Sequence, residues 1–300
     1  MKIIKIYEKS KLVDIINAPE FEEFGQFLFP TGYRNPYSGQ TLDEIGHLLP
    51  WHSYINTENS IEILDYMQEK VNEGKQIFYD IYTEEEKQKN SSKRDTGLFF
   101  FRGKKDAPFA VVNAGGGFVY VGSIHESFPH AMYLSKKGYN AFALQYRTTG
   151  AQAACEDLAA AISFIFRNKE MLGVSTECYS LWGGSAGARM AAYLGTYGPA
   201  GFGGDRILGP KTIVMQYTGH SEYSRNDPPT YVCVGTNDYI ASWQVMQRRL
   251  KDMSDCGIDT EFHKYKGMPH GFGLGIGTVA EGWIDDAISF WERQMKDTKR

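Results

Sequence analysis

The feature that most constrains the fold is a glycine-rich turn with a serine at its centre, near the middle of the chain. Residues 178–182 form a short strand-like run, residues 183–187 read Gly-Gly-Ser-Ala-Gly, and residues 188–194 are good helix formers. Because glycines stand two residues either side of Ser185, the turn can be tight and leave the serine hydroxyl exposed. A strand that passes directly into a helix predicts an α/β protein. The alternative interpretation is a serine that only caps the helix.

Downstream of residue 75, strand-like and helix-like segments alternate. We expect strands at residues 76–82, 96–102, 108–113, 140–146, 178–182, 211–217, 230–235 and 259–265. We expect helices at residues 126–137, 151–171, 188–194, 242–253 and 279–295, and a charged surface connection at 84–94. The first two strands are predicted to pair antiparallel. The others predict a mostly parallel sheet covered by helices on both faces.

Residues 1–74 do not look like the start of this sheet, so we predict an N-terminal extension (1–74) and a main domain (75–300). The extension contains a phenylalanine cluster at Phe21, Phe24, Phe27 and Phe29. It also contains an amphipathic helix at 61–71 and is too apolar to be disordered. We expect it to pack on the outside of the main domain. A sharper hypothesis is that Trp51, His52 or Tyr54 reaches over the functional site as a partial lid.

Composition excludes several classes of protein. The net charge of −4 gives no reason to expect nucleic acid or an anionic membrane as a partner. No apolar run approaches the length of a membrane span, and the charged N-terminus lacks the apolar region of a signal peptide, which predicts a cytoplasmic protein. The four cysteines are scattered and show no zinc-binding spacing, so no metal is expected. A homo-oligomer is left open.

Two further candidate residues follow strands downstream of Ser185. Strand 230–235 runs into Asp238, and strand 259–265 is followed by a glycine-rich loop with His270. Parallel strands end at one edge of a sheet, so Ser185, Asp238 and His270 are expected to meet there. An activated serine needs a base within hydrogen-bond reach and an acid that holds the base.

Each of these residues has alternatives. Asp238 alone could simply cap the helix that follows it, and His270 alone could be a loop histidine bonded to the backbone. His220 is the rival base, although it precedes the candidate acid in the chain. Asp227 is the weaker candidate acid, because it stands just before the turn at Pro228.

A glycine triplet at 115–117 directly follows the buried strand 108–113. Glycines let the backbone approach a substrate carbonyl with N–H groups pointing inward. We therefore predict that Gly116 or Gly117, together with Ala186 after the serine, donates hydrogen bonds to an oxyanion. A plain flexible turn is the alternative.

Together these motifs resemble the α/β-hydrolase superfamily, and within it the esterase/lipase branch with a His-Gly-Gly-Gly loop. Here Ala114 stands where that branch usually has histidine. The segments Phe-Ala-Leu-Gln-Tyr-Arg, ending at Arg147, and Pro-His-Gly-Phe, which contains His270, are also similar to this branch and to its bacterial relatives that deacetylate sugars. The resemblance covers about residues 75–298. It implies that Ser185 is the nucleophile, that His270 is base and acid, and that Asp238 orients His270.

The resemblance implies a serine carboxylic ester hydrolase that needs no metal or organic cofactor. Only residues 219–229 separate two strands where many lipases and peptidases insert a cap, which predicts an open site for short acyl esters, with acetylated sugars as one class. Phe118, Tyr120 and Trp182 are the predicted pocket walls. A serine peptidase of the same fold and a non-catalytic binding protein are the alternatives.

Overall fold

A computed structural model of the protein describes residues 5–30, 39–49, 51–52 and 54–297. The strands are β1 (Phe78–Tyr79), β2 (Gly97–Phe101), β3 (Pro108–Asn113), β4 (Asn140–Gln145), β5 (Ser175–Gly184), β6 (Thr212–Gln216), β7 (Thr230–Gly235) and β8 (Thr260–Tyr265). The helices are α1 (Leu12–Ile16), α2 (Thr57–Asn72), α3 (Glu84–Lys89), α4 (Phe128–Lys136), α5 (Ala151–Arg167), α6 (Lys169–Leu172), α7 (Ala186–Tyr197), α8 (Trp243–Asp255) and α9 (Trp283–Asp297).

The strands form one sheet in the order β1-β2-β4-β3-β5-β6-β7-β8. β1 pairs antiparallel with β2, and β2 pairs antiparallel with β4. The remaining pairs are parallel. The mostly parallel sheet and its antiparallel start, both predicted from the sequence, are therefore confirmed. The carboxyl ends of β3, β5, β7 and β8 share one edge, which we call the carboxyl edge.

Several predicted boundaries were wrong. The first strand covers only Phe78–Tyr79 rather than 76–82, because just these two residues pair with β2. The segment predicted as a surface connection contains α3, which starts with a capping box between Thr83 and Glu86. The helix predicted at 151–171 is divided into α5 and α6, and α9 begins at Trp283, four residues later than predicted.

Helices cover both faces of the sheet because its strands are apolar on both sides. In β2, Phe99 and Phe101 point to one core, while Leu98 and Phe100 point to the other. The first core is closed by α4, α9 and the N-terminal extension. The second core is closed by α5, α7 and α8. Within the described residues, no helix is both long enough and apolar enough to cross a bilayer.

The described part of the extension packs directly on the first core. Phe24 is 3% exposed, and its ring lies 5.8 Å from that of Phe78 and 5.4 Å from that of Phe99. On α2, Ile63, Leu64 and Met67 are buried in the same core. The extension adds no strand to the sheet, since its described residues form only one isolated bridge, between Lys11 and Thr41. The domain boundary at residue 74 stays a prediction.

Candidate active site

Ser185 lies in a strained turn between β5 and α7. Its φ of 49° and ψ of −113° are unusual for a residue with a side chain. A Cβ on Gly183 would overlap the backbone of Gly187, and a Cβ on Gly187 would overlap the carbonyl oxygen of Asn113. The two glycines are therefore required for the turn, which holds the serine hydroxyl at the N-terminus of α7. Partial positive charge at a helix N-terminus favours negative charge developing there.

Asp238 and His270 form a hydrogen-bonded chain with this serine. His270 Nε2 lies 2.9 Å from Ser185 Oγ, and His270 Nδ1 lies 2.7 Å from Asp238 Oδ2. The other carboxylate oxygen of Asp238 accepts the backbone N–H groups of Ile240 and Ala241, each at 2.8 Å. Asp238 thus caps the chain that follows it and also holds the imidazole, so the two roles considered separately in the sequence coexist.

The rival base and acid lie elsewhere. His220 is buried beside the ring of Tyr193 at 4.9 Å, and burial is the main cause that lowers the pKa of His220 to about 4. Asp227 accepts the guanidinium of Arg249 at 3.0 Å and the hydroxyl of Thr196 at 2.7 Å. Both residues therefore stabilise the neighbourhood of loop 219–229 and do not contact the serine.

The glycine loop after β3 lies directly against Ser185. A Cβ on Gly115 would come within 3.0 Å of Ser185 Cβ. Gly116 and Gly117 have φ values of 143° and 60°, which side chains rarely adopt. The N–H of Ala186 is the first of α7 and so has no partner within the helix. The structure thus places Gly115 and Ala186 beside Ser185, and Gly116 and Gly117 follow Gly115 in the loop; their role as oxyanion donors stays a prediction.

The three predicted pocket walls occupy different environments. Phe118 follows the glycine triplet with a φ of 61°, is partly exposed and packs against the second core. Tyr120 is 2% exposed. Trp182 is 1% exposed and lies in the first core, with its ring 6.3 Å from the rings of both Trp283 and Trp291. Trp182 is therefore a core residue, contrary to its predicted position on a pocket wall, because its side chain points from β5 toward α9.

A carboxylate that the sequence did not single out lies behind the glycine loop. Glu126 is fully buried, and its Oε2 accepts the N–H of Gly115, while its Oε1 accepts the O–H of Tyr217. The loop is also held by the hydroxyl of Tyr146, which donates to the carbonyl of Ala114 at 2.7 Å. No local pattern could have identified Glu126, which in the sequence looks like the start of a helix; only the tertiary structure brings it to the loop.

The extension also reaches this site. His52 is 3% exposed, and its Nε2 lies 3.7 Å from Glu126 Oε1. A Cβ on Gly271, next to His270, would overlap the carbonyl oxygen of Trp51. Of the predicted lid residues, His52 is thus buried beside the site, whereas Trp51 and Tyr54 are 44% and 40% exposed.

Among the described residues, no group of three or more His, Cys, Asp or Glu side chains is arranged to hold a metal ion.

Comparisons with known proteins bear on the fold. The BD-FAE family model matches residues 101–206, a range that includes the glycine loop and Ser185. No curated protein sequence matches the chain significantly.

Solved structures share the fold over two thirds of the chain. An α/β-hydrolase enzyme from a Medee basin deep-sea metagenome library is 21% identical, with a TM-score of 0.58 over 67% of this chain and 93% of that one. Propionate-bound esterase 2 of Thermogutta terrifontis is 18% identical, with a TM-score of 0.59 over 66% and 89%. An acetyl ester-xyloside bifunctional hydrolase from Caldicellulosiruptor lactoaceticus is 20% identical, with a TM-score of 0.59 over 66% and 88%.

The chain therefore has the α/β-hydrolase fold, and the resemblance drawn from the sequence is confirmed at this level. The Asn-Ala-Gly-Gly-Gly loop departs from the branch with a His-Gly-Gly-Gly loop.

Proposed function

We propose that the protein is a serine carboxylic ester hydrolase that acts on short acyl esters. The observation that carries this proposal is the hydrogen-bonded chain from Ser185 through His270 to Asp238, with distances of 2.9 and 2.7 Å. This is the arrangement of a nucleophile, a general base and an orienting acid. An esterase and an acetyl ester hydrolase among the similar structures support the same class of reaction.

In the proposed reaction, His270 removes the proton of Ser185 as Oγ attacks the ester carbonyl. The backbone N–H of Ala186 and that of Gly116 or Gly117 stabilise the negative oxygen of the tetrahedral intermediate. His270 then protonates the departing alcohol, which leaves an acyl group on Ser185. Water activated by His270 releases the acid and restores the serine. Asp238 holds His270 in the tautomer that this sequence needs.

Acetylated sugars are the substrate class that we favour. Loop 219–229 carries no inserted cap, and Ser185 keeps part of its surface accessible. The acetyl ester-xyloside bifunctional hydrolase among the similar structures supports a sugar ester as the substrate. A small-molecule partner, the lack of nucleic-acid and membrane partners, the cytoplasmic location and any homo-oligomer stay predictions from the sequence.

The first test is hydrolysis of p-nitrophenyl esters from acetate to octanoate by the wild type and by Ser185→Ala. We expect the highest kcat/KM on acetate and a loss of at least about 10⁴-fold in the variant, because the nucleophile is removed. Acetylated xylosides would be tried next. If the folded wild type hydrolyses no ester, the esterase proposal fails and peptide hydrolysis or ligand binding by the same site becomes the better interpretation.

A further inference from the structure

Glu126 is not part of the hydrogen-bonded chain of Ser185, His270 and Asp238. Its buried carboxylate nevertheless contacts the backbone around that chain. Its Oε2 accepts the N–H of Gly115, the residue before the candidate oxyanion donors. A Cβ on Gly184, the residue before the serine, would overlap this carboxylate. Glu126 therefore lies beneath both the glycine loop and the turn that holds Ser185, and it fixes the peptide from which the loop continues into Gly116.

A buried negative charge at this place has to be balanced. Its field would oppose the negative oxygen that develops on the substrate a few residues away. Tyr217 supplies an O–H, and burial raises the pKa of this phenol well above its usual value, so it stays a neutral donor. A neutral hydroxyl and one backbone amide satisfy lone pairs but supply no positive charge.

Three histidines lie around Glu126. Burial is the main cause that lowers the pKa of His125 to about 3 and of His130 to about 4, so both are neutral at pH 7. His52 is the histidine within ion-pair distance, with Nε2 3.7 Å from Oε1. Neither of its ring nitrogens has a hydrogen-bond partner in the part of the chain that the structure describes. Such an imidazole is costly to bury unless it interacts with a charge.

His52 belongs to the extension, and the backbone around it is held in place. The carbonyl of Trp51 lies where a Cβ on Gly271 would be, so the extension packs closely on the loop that carries His270. The ring of His52 also lies 5.8 Å from that of His125, whose Nε2 is 2.9 Å from the carbonyl of Ile45. The position of His52 is thus set by contacts of the extension with the loop that carries His270 and with His125.

We propose that Glu126 is a positioning residue that orients the oxyanion loop through the Gly115 amide, and that His52 of the extension supports this carboxylate from a distance of 3.7 Å. The active site is then incomplete without the extension. This inference depends on the proposed esterase function, since it assigns both residues to the step that stabilises the oxyanion.

The test compares His52→Gln, Glu126→Gln and the double variant in p-nitrophenyl acetate hydrolysis. We expect each single variant to lower kcat about 10- to 100-fold with KM little changed, because the loop acts on the transition state rather than on substrate binding. The double variant should lose much less than the product of the two losses, because both substitutions disrupt the same contact between His52 and Glu126.

Asp157→Asn is the matched control. Asp157 is also fully buried; it accepts the guanidinium of Arg147 and, like Glu126, a tyrosine hydroxyl, that of Tyr82. It is a residue of α5, which closes the second core, so this variant should lose stability and keep its kcat. If Glu126→Gln does not fold, Tyr217→Phe tests the same carboxylate, with an expected loss of kcat of several-fold and unchanged KM.

The inference is overturned if folded His52→Gln and Glu126→Gln keep wild-type kcat, if they change only KM, or if their losses multiply. Its failure can be distinguished from failure of the esterase proposal, because that proposal is tested by comparing ester hydrolysis by the wild type and by Ser185→Ala. If the wild type hydrolyses no ester, the rate at which a fluorophosphonate labels Ser185, followed by intact mass, replaces kcat, since that reaction also places negative charge on oxygen. Equal labelling of wild type and variants would then overturn the inference, and no labelling of the wild type would overturn both proposals.

Discussion

The carboxyl edge and the N-terminal extension meet at the same site but are held there by different forces. Ser185, Asp238 and His270 each follow a strand, so the backbone hydrogen bonds of the sheet fix where they lie. The described residues of the extension form no strand of the sheet. It is held by buried side chains such as Phe24, whose ring packs against Phe21 at 5.5 Å and against two phenylalanines of the sheet.

This difference predicts that activity and stability depend on different residues. Changes at the carboxyl edge should remove activity at little cost in stability, because the residues there are positioned by a scaffold that they do not build. Apart from His52, changes in the extension should lower stability first, because its other buried side chains contribute mainly to packing. The predictions below test this separation.

After Ser185→Ala, the largest effect is expected at Asp238. Asp238→Asn should lower kcat by about 10³- to 10⁴-fold, because the amide no longer holds His270 in the tautomer that accepts the serine proton. The measurement is kcat on p-nitrophenyl acetate together with the melting temperature.

The control for this variant is Asp227→Asn, which changes the rival acid. It should keep kcat but lose about 3 to 5 kcal/mol of stability, because the fully buried guanidinium of Arg249 loses its partner. A large loss of kcat in Asp227→Asn, with Asp238→Asn nearly active, would reverse the assignment of the acid.

How much of this the sequence could predict differs between the two regions. The strands near Ser185, Asp238 and His270 are apolar runs that end in turn residues, and such local patterns predicted both the sheet and the three positions. The capping box at Thr83 was also visible in the sequence, and α3 could have been predicted from it. The contacts of Glu126 with Gly115, Tyr217 and His52 join residues 11, 91 and 74 positions apart, and no local pattern encodes them.

The next effect in size concerns the extension. Phe24→Ala should lower the free energy of unfolding by about 3 to 5 kcal/mol, because it leaves a cavity among buried aromatic rings. Urea unfolding followed by circular dichroism and by tryptophan fluorescence should show one shared transition, since the extension and the sheet share a core.

Val13→Ala is the control, because Val13 lies in the same extension on α1 but is 39% exposed, and little change is expected. The idea of a shared core fails if Phe24→Ala costs no more than Val13→Ala, or if the extension unfolds in a separate, earlier transition.

Acid should weaken the contact between the two regions. His125 and His130 have pKa values lowered by burial to about 3 and about 4, against an ordinary value near 6.5. Below pH 6.5 the unfolded chain binds protons that the folded chain does not, so stability falls as the pH falls, by roughly 2 kcal/mol per histidine between pH 6.5 and 5. Burial raises the pKa of Glu126, but the proximity of His52 and Tyr217 lowers it by more, to about 2. Glu126 therefore adds a further loss of stability as the pH falls below 4.5.

This pH dependence can be measured through His130→Phe, which removes one buried imidazole that packs edge-on against Trp283 at 5.2 Å. The difference in unfolding free energy between pH 6.5 and 5 should shrink by roughly 2 kcal/mol in this variant. Replacing the partly exposed His263 by Gln provides the control. An unchanged difference in His130→Phe would mean that acid destabilises the protein through other groups.

The smallest effect tests whether the serine turn stores strain. With φ at 49° and ψ at −113°, Ser185 has a backbone conformation that is unfavourable for a residue with a side chain but accessible to glycine. Ser185→Gly should therefore be more stable than Ser185→Ala by about 1 kcal/mol, after the greater entropy of glycine in the unfolded chain is subtracted. Both variants lack the nucleophile, so the comparison isolates backbone strain from catalysis. A glycine variant less stable than the alanine variant would show that the turn at the carboxyl edge is relaxed, and that the scaffold positions the serine without strain.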